Sequence, residues 1–354
     1  MDSSERLSVI RFPMILLILY IHSFVAPVYL AGQSITVEPT AGIRALVMFW
    51  SDGIARIAVP SFYLMSGYLY FNNFDGSWNQ YLEKSKRRVF TLLIPYILWN
   101  GLVLALFMIG QSLPLTATLF NSANEQMTGQ STWRMIDIWL GITQYPIAYP
   151  FWFIRDLMLM VAVAPLLHWT LRRTHGVLEI VLLFAWLSTL IKLPIPSIEG
   201  LTFFVLGASF GMHNRPLFVG DGHLKLLIPV FLVGELANIW LRLELNVYWL
   251  QRPVILLGVV VLFAMTKCVV SHPQLRGVLL ALAPMSFFVF AAHEPLMTML
   301  RKLIYRAIEV NQASILATYT LLPLLVAIIT LVAYRLLVRV FPTAASILNG
   351  NRAG

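Results

Sequence analysis

An all-α integral membrane protein of about ten transmembrane helices is the fold class that this sequence predicts, and three observations predict it. First, 59% of the 354 residues are hydrophobic and only 12% are charged, where a soluble domain holds about 25% charged residues. Second, the apolar residues come in long runs, and a helix needs about 20 mainly apolar residues to cross a bilayer core. Third, the 25 Lys and Arg residues sit singly or in small groups at the ends of those runs, where cytoplasmic loops hold them. Ten helices use roughly 200 residues. The remainder suffices for modest loops, so residues 1–354 read as a single polytopic domain with no fused soluble domain. The formal net charge of +9 invites a nucleic-acid reading, but the placement of the basic residues excludes it. The only cysteine, Cys268, lies in an apolar run, so no intrachain disulfide forms.

The elements follow in order. A short polar leader precedes the first helix, expected over 10–30. This run is too long for a secretory signal, contains His22 and lacks a clear small-residue cleavage site, so it reads as a retained signal anchor. The second and third helices are expected over 44–71 and 88–110, and a polar stretch from 111 to 150 follows. The remaining seven are expected over 151–171, 177–193, 200–213, 224–243, 253–271, 278–300 and 315–340. No internal repeat is visible. Orientation comes from the basic loops: the cluster Lys84, Lys86, Arg87 and Arg88 puts the connection after the second helix in the cytoplasm. An even number of spans then places both termini there and turns 111–150 outward. A connection of that length is often functional.

The first helix carries Arg11 and His22. Eleven residues advance a helix by three turns plus roughly 20°, so both side chains share a face, with a rise of roughly 16.5 Å between them. Arg11 lies at the cytoplasmic edge and His22 in the bilayer interior. A thin substrate with an anionic head and a reactive tail fits this spacing, and coenzyme A thioesters have that shape. The planar fork of Arg suits phosphate, and His suits acyl transfer because its pKa lies near neutrality. The plainer alternative makes Arg11 a flanking anchor and His22 a hydrogen-bonded packing residue. An ionisable group at mid-membrane is nevertheless a functional candidate by default.

Further segments carry a family resemblance. The segment RFPMILLILYIH has the arginine–ten residues–histidine spacing of the acyltransferase-3 family, and four later segments match that family in order. These are RIAVPSFYLMSGYLYF from Arg56, the basic run KSKRRVFTLLIPY, FWFIRDLMLMVAVAPLL, and SFFVFAAHEPL. The chain thus resembles bacterial inner-membrane O-acyltransferases that modify surface and exported glycans. One departure is Thr91, where family members often carry a second basic residue. No esterase-like domain of the kind some members carry is expected after the tenth helix, and an accessory transfer protein is an expected partner.

The resemblance implies a multi-pass protein of the bacterial cytoplasmic membrane that uses acyl-CoA, and specifically acetyl-CoA, as donor. It binds no permanent cofactor, and its acceptor is a glycan or lipid-linked sugar. Arg11 with Lys86, Arg87 and Arg88 is expected to hold the donor's phosphates, and His22 to be catalytic, as general base or as transient acyl carrier. Arg56, Arg155, Asp156, His293 and Glu294 are candidates for the acceptor side. Each has a structural alternative. The basic cluster serves equally as a topology anchor, and Arg155 and Asp156, which as helical neighbours need not pair, serve as a network between helices with Arg56 and Asp52. His293 and Glu294 serve as a polar break before Pro295. Trp133, Tyr145, Tyr149 and Trp152 suit a sugar-stacking surface or an interfacial aromatic belt. The Ser66–Gly67 pair reads as a close helix contact. Glu235, within the seventh helix, is expected to pair with a neighbouring helix. The sequence shows no metal-ligand spacing, phosphate-cradling glycine loop or serine nucleophile elbow. A transporter or flippase for a lipid-linked sugar is the competing function; a scaffold leaves the intramembrane charges unexplained.

Overall fold

The computed structural model describes residues 3–24, 28–30, 33–35, 37–114, 116, 117, 120, 127, 129–191 and 193–352. Residues 25–27 of the expected first helix, parts of the 111–150 stretch and Lys192 of the expected fifth helix lie outside them. Among the described residues, seven helices are long and apolar enough to cross a membrane: α1 (Ser3–Ser23), α2 (Ala41–Phe71), α3 (Trp78–Ser112), α9 (Leu224–Glu244), α10 (Gln251–Val270), α11 (Pro273–Ala307) and α12 (Gln312–Val340). Between α3 and α9 lie a nine-residue helix α4 (Thr132–Leu140) and the pair α5 (Tyr149–Ala162) and α6 (Ala164–Thr174), bent by 66° where they meet. Helices α7 (Val177–Ser188) and α8 (Ile198–Met212) complete that part of the chain, and α13 (Pro342–Leu348) follows α12. A two-stranded antiparallel hairpin, β1 (Val28–Leu30) with β2 (Gln33–Ile35), is the strand content among the described residues.

Each of the ten expected stretches contains helix, but among the described residues seven helices, or eight with the bent pair, are long enough for a span. Helices α7 and α8 have 12 and 15 residues. They rise roughly 18 and 23 Å, short of the ~30 Å hydrocarbon core. The first helix also differs: it begins at Ser3 and ends at Ser23, where 10–30 is expected. Its polar leader is helical because Arg6 is buried there. Both terminal nitrogens of Arg6 donate to the Asp221 carboxylate at 2.6 Å, Nε donates to Thr266 Oγ1 at 2.7 Å, and the guanidinium stacks 3.6 Å from the Phe218 ring. Each nitrogen of the fork is therefore paired as it leaves water.

Helix starts follow from local chemistry. Side-chain oxygens of Ser77, Ser131, Ser197 and Asn311 accept backbone N–H bonds at the starts of α3, α4, α8 and α12, satisfying donors that the first turn leaves free. Gly141 ends α4 in the left-handed region at φ 62°, its N–H donating to the Asp137 carbonyl at 2.7 Å. A Cβ there would sit 2.6 Å from Pro146 N, so the turn requires glycine.

The chain forms two compact units, each described by itself. The first comprises 1–18, 45–89 and 155–284, so it holds most of α1 and α2 and all of α6–α10. Its tightest contact joins α2 to α8. A Cβ at Gly67 would run into the Phe204 carbonyl, and one at Gly207 into the Leu64 carbonyl, so small residues let the two backbones touch. This confirms the close helix contact expected at Ser66–Gly67. The second unit comprises 19–44, 90–154 and 285–354. Its core includes Phe288, Tyr334 and Ala345, packed with Trp99. On α12, Leu321, Leu325, Ile328 and Val332 are exposed while Tyr319, Leu322 and Val326 are buried. That inversion suits a helix with lipid on one side.

Candidate active site

His22 is the penultimate residue of α1 and half-buried. Two rings cover it. The ring of His293 stacks on it with centroids 5.5 Å apart and planes 25° from parallel, and Tyr149 meets it edge-on at 5.0 Å. The carbonyl of His22 accepts from Arg301 Nη2 at 3.2 Å. Next to it, Ser23 Oγ donates to the Tyr319 carbonyl at 2.8 Å, and Tyr20 OH donates to the Thr320 carbonyl at 3.0 Å. The end of α1 is thus clamped to α11 and α12, which fixes where the imidazole stands.

His293 reaches this place through a break in α11. Pro295 removes a backbone donor, and Glu294 leaves helical geometry at φ −114°, ψ 133°. His293 is fully buried and its Nδ1 bonds the Phe290 carbonyl. A carbonyl can only accept, so Nδ1 carries the proton. A neutral His293 then presents Nε2 as a bare acceptor, and this buried atom has no partner among the described residues. Glu294 is also buried. Helix α11 then resumes, which places Arg301 inside it at 4% exposure. The helix expected over 278–300 leaves Arg301 just beyond its end; the structure continues the helix to Ala307 and buries Arg301 beside His22.

Tyr149 is held by a strap that follows α3. Asp137 of α4 accepts from Thr143 N at 2.8 Å, from Thr143 Oγ1 at 2.7 Å and from Arg134 at 3.2 Å. Burial pushes the Asp137 carboxyl up, but the two bonds from Thr143 and the Arg134 charge outweigh it and hold it below the ordinary value of 3.8. Tyr96 OH donates to the Leu140 carbonyl at 2.7 Å, Trp139 Nε1 donates to the Ile97 carbonyl at 3.1 Å, and the fully buried Asn100 accepts from Ala148 N at 3.1 Å. These bonds carry the chain to Tyr149. An interfacial belt is the plainer expectation for Tyr149; its ring lies against His22 instead.

The expected donor-side cations lie in the first unit. Arg11 is partly buried, and Arg88 is within its electrostatic range. Lys86 and Arg87 are exposed, and Arg87 pairs with Glu83 at 2.5 Å, a solvent-exposed bond of small worth. Lys84 caps the end of α2, because its Nζ donates to the Tyr70 and Asn72 carbonyls at 2.5 and 3.2 Å. Arg11 and Arg88 are therefore the pair that the fold brings together.

The remaining candidates also belong to the first unit. Arg155 and Asp156 do pair, at 3.3 Å, because the long guanidinium arm folds back over its neighbour. The other oxygen of the fully buried Asp156 accepts from Ser197 N at 2.8 Å, which ties it to the start of α8. Arg56 is half-exposed and 3.8 Å from Asp52, whose nearer partner is Arg242 at 2.9 Å. Glu235 is buried against Gly53 of α2 and accepts from Asn238 at 3.5 Å. These contacts support the structural alternative for Asp156 and, in part, for Arg56. Unforeseen at the site are Arg301 and the ring of Tyr149. The one sequence signal for Arg301 is the helical spacing of apolar residues that continues past Pro295.

Compared with known proteins, residues 5–334 match a family model described as an acyltransferase domain. The succinoglycan biosynthesis protein ExoH of Rhizobium meliloti (strain 1021) is 23% identical over 330 residues, covering 87% of this chain and 83% of that protein. No solved structure matches the chain.

Proposed function

This chain belongs to the acyltransferase family whose domain model covers residues 5–334, and on that premise we propose that it moves an acyl group from cytosolic acyl-CoA to a hydroxyl of a surface or exported glycan. Family membership makes it an acyltransferase of groups other than aminoacyl groups. The glycan acceptor is supported by the similarity to a protein named for succinoglycan biosynthesis. Acetyl as the acyl group, acetyl-CoA as donor and the bacterial cytoplasmic membrane rest on the resemblance in the sequence.

The observation that carries the reading is the end of α1. His22 stands clamped at His293 and Tyr149, and Arg11 lies eleven residues before it in the sequence. In the proposal, Arg11 and Arg88 hold the coenzyme's phosphates, with Lys86 and Arg87 as the outer part of the same positive surface. The thioester meets His22. As general base, His22 takes the proton of an acceptor hydroxyl as the oxygen attacks. As acyl carrier, it holds the acyl group on a ring nitrogen before passing it on. The bare Nε2 of His293 suits a hydrogen bond from the acceptor's hydroxyl, with Glu294 beside it in the chain; Arg56 and Arg155, in the first unit, are kept as acceptor-side candidates on the resemblance alone.

Purified protein in lipid discs, supplied with acetyl-CoA and exported glycan, tests this. The expected result is release of free coenzyme A thiol together with ester on the glycan. Movement of a lipid-linked sugar across the disc without consumption of acetyl-CoA would establish the transporter reading instead.

A further inference from the structure

Arg301 is a buried cation of this site to which the sequence alone gives no role. It is 4% exposed, and Nη2 is committed to the His22 carbonyl at 3.2 Å. Its Nε–H is buried and has no partner among the described residues. Leaving a buried donor unpaired costs about 1–3 kcal/mol, and a charged group costs more. Such an atom in a folded protein calls for an explanation. Packing does not supply one, because a leucine or methionine would fill the same space without that cost. Holding the end of α1 does not supply one either, because the bond to His22 uses only Nη2. Glu294 lies within electrostatic range of the guanidinium, so its charge is offset while Nε has no partner among the described residues.

We propose that Arg301 Nε–H is the donor that meets the carbonyl oxygen of the acyl group during transfer; the inference rests on the acyltransferase reading of His22. When an acceptor hydroxyl attacks, its oxygen forms a bond to the thioester carbon and its proton passes to His22. The π pair of the C=O moves onto the carbonyl oxygen, which becomes an oxyanion and accepts from Arg301 Nε–H. When the carbonyl re-forms, the C–S bond breaks, and the coenzyme A thiolate takes the proton from His22. In the acyl-carrier route the thiolate takes the imidazole's proton, and the acceptor hydroxyl returns one to the imidazole that it displaces. Both routes place an oxyanion on the same carbonyl oxygen. A donor fixed in place and shut off from bulk water is worth most there, because it needs no reorganisation as the charge develops. The bond from Nη2 to His22 sets the donor and the imidazole in register, so one side chain positions the base and stabilises the charge.

The test uses the full chain in lipid discs with acetyl-CoA as probe, exported glycan as acceptor and thiol release as readout. Arg301→Gln is expected to lower kcat by about 10²–10³-fold and to leave the KM for acetyl-CoA within about twofold. In Arg301→Ala, added guanidinium ion is expected to restore part of kcat. Should these two variants fail to fold, Arg301→Lys decides: it keeps the charge and loses Nε, and kcat is expected to fall at least about tenfold. A kcat within threefold of the parent in Arg301→Gln, while His22→Ala is inactive, would overturn the proposal and leave the acyltransferase reading intact. Loss of kcat in a folded Arg301→Ala without guanidinium restoration would also overturn it, assigning Arg301 to holding α1 alone. Full activity in His22→Ala would instead remove the reading on which it rests.

Discussion

The imidazole of His22 is placed by groups far away in sequence. Arg301 is 279 residues from it and Tyr319 is 296 from Ser23, yet both hold the last turn of α1. This is why the sequence marks His22 by its distance from Arg11 but does not surround it. Tyr149 shows the same gap: an aromatic residue near a membrane surface reads as belt, and only the folded strap turns it toward His22. For Tyr149→Ala, loss of the edge contact predicts about a tenfold fall in kcat, corresponding to the upper end of ~0.5–1.5 kcal/mol for a ring pair. Tyr149→Phe, which keeps the ring, is predicted to retain most activity. Steady-state thiol release from acetyl-CoA measures both.

At the scale of elements, apolar runs make the long helices legible. Their ends are less so, because partners set them. Arg6 extends α1 to Ser3 through Asp221, and Pro295 breaks α11 without ending it. Helix α4 escapes a reading by apolar runs because a nine-residue helix with a buried aspartate does not look apolar. Asp137 is its centre, so Asp137→Ala is predicted to loosen the strap by about 1–3 kcal/mol. Hydrogen exchange at the amides of Gly141, Ile147 and Ala148 reads that loss. The pH dependence follows from the lowered carboxyl of Asp137. Its stabilisation is complete above the ordinary value of 3.8 and is lost as pH falls through the lower folded value. Protection of these amides, corrected for intrinsic exchange, is therefore predicted to hold from neutral pH to about 5 and to fall below about 4. The contact between α2 and α8 makes a second prediction. Gly207→Leu forces the backbones apart at the Leu64 carbonyl, so no monodisperse protein is expected by size-exclusion chromatography.

For the molecule as a whole, composition alone indicates many helices in a membrane, and among the described residues seven helices and a bent pair are long and apolar enough to span one. The count of ten overreaches where α7 and α8 prove short. Two short apolar runs and two full spans look alike in sequence, because hydrophobicity reports burial without saying whether lipid or protein supplies it. The orientation proposed from Lys84–Arg88 is testable in a Cys268→Ser background. Asn79→Cys and Gln130→Cys occupy exposed positions at the start of α3 and before α4. A membrane-impermeant thiol reagent applied to intact cells is predicted to label the second and spare the first; the reverse pattern would invert the topology and put the donor site on the wrong side.

The central claim is that His22 transfers an acyl group to an exported glycan. Its most direct test is His22→Ala in the native host, with membrane levels confirmed equal to the parent and ester groups on the exported glycans measured by mass spectrometry. The esters installed by this protein are predicted to disappear while the glycan backbone is still exported. Unchanged esterification would contradict the claim.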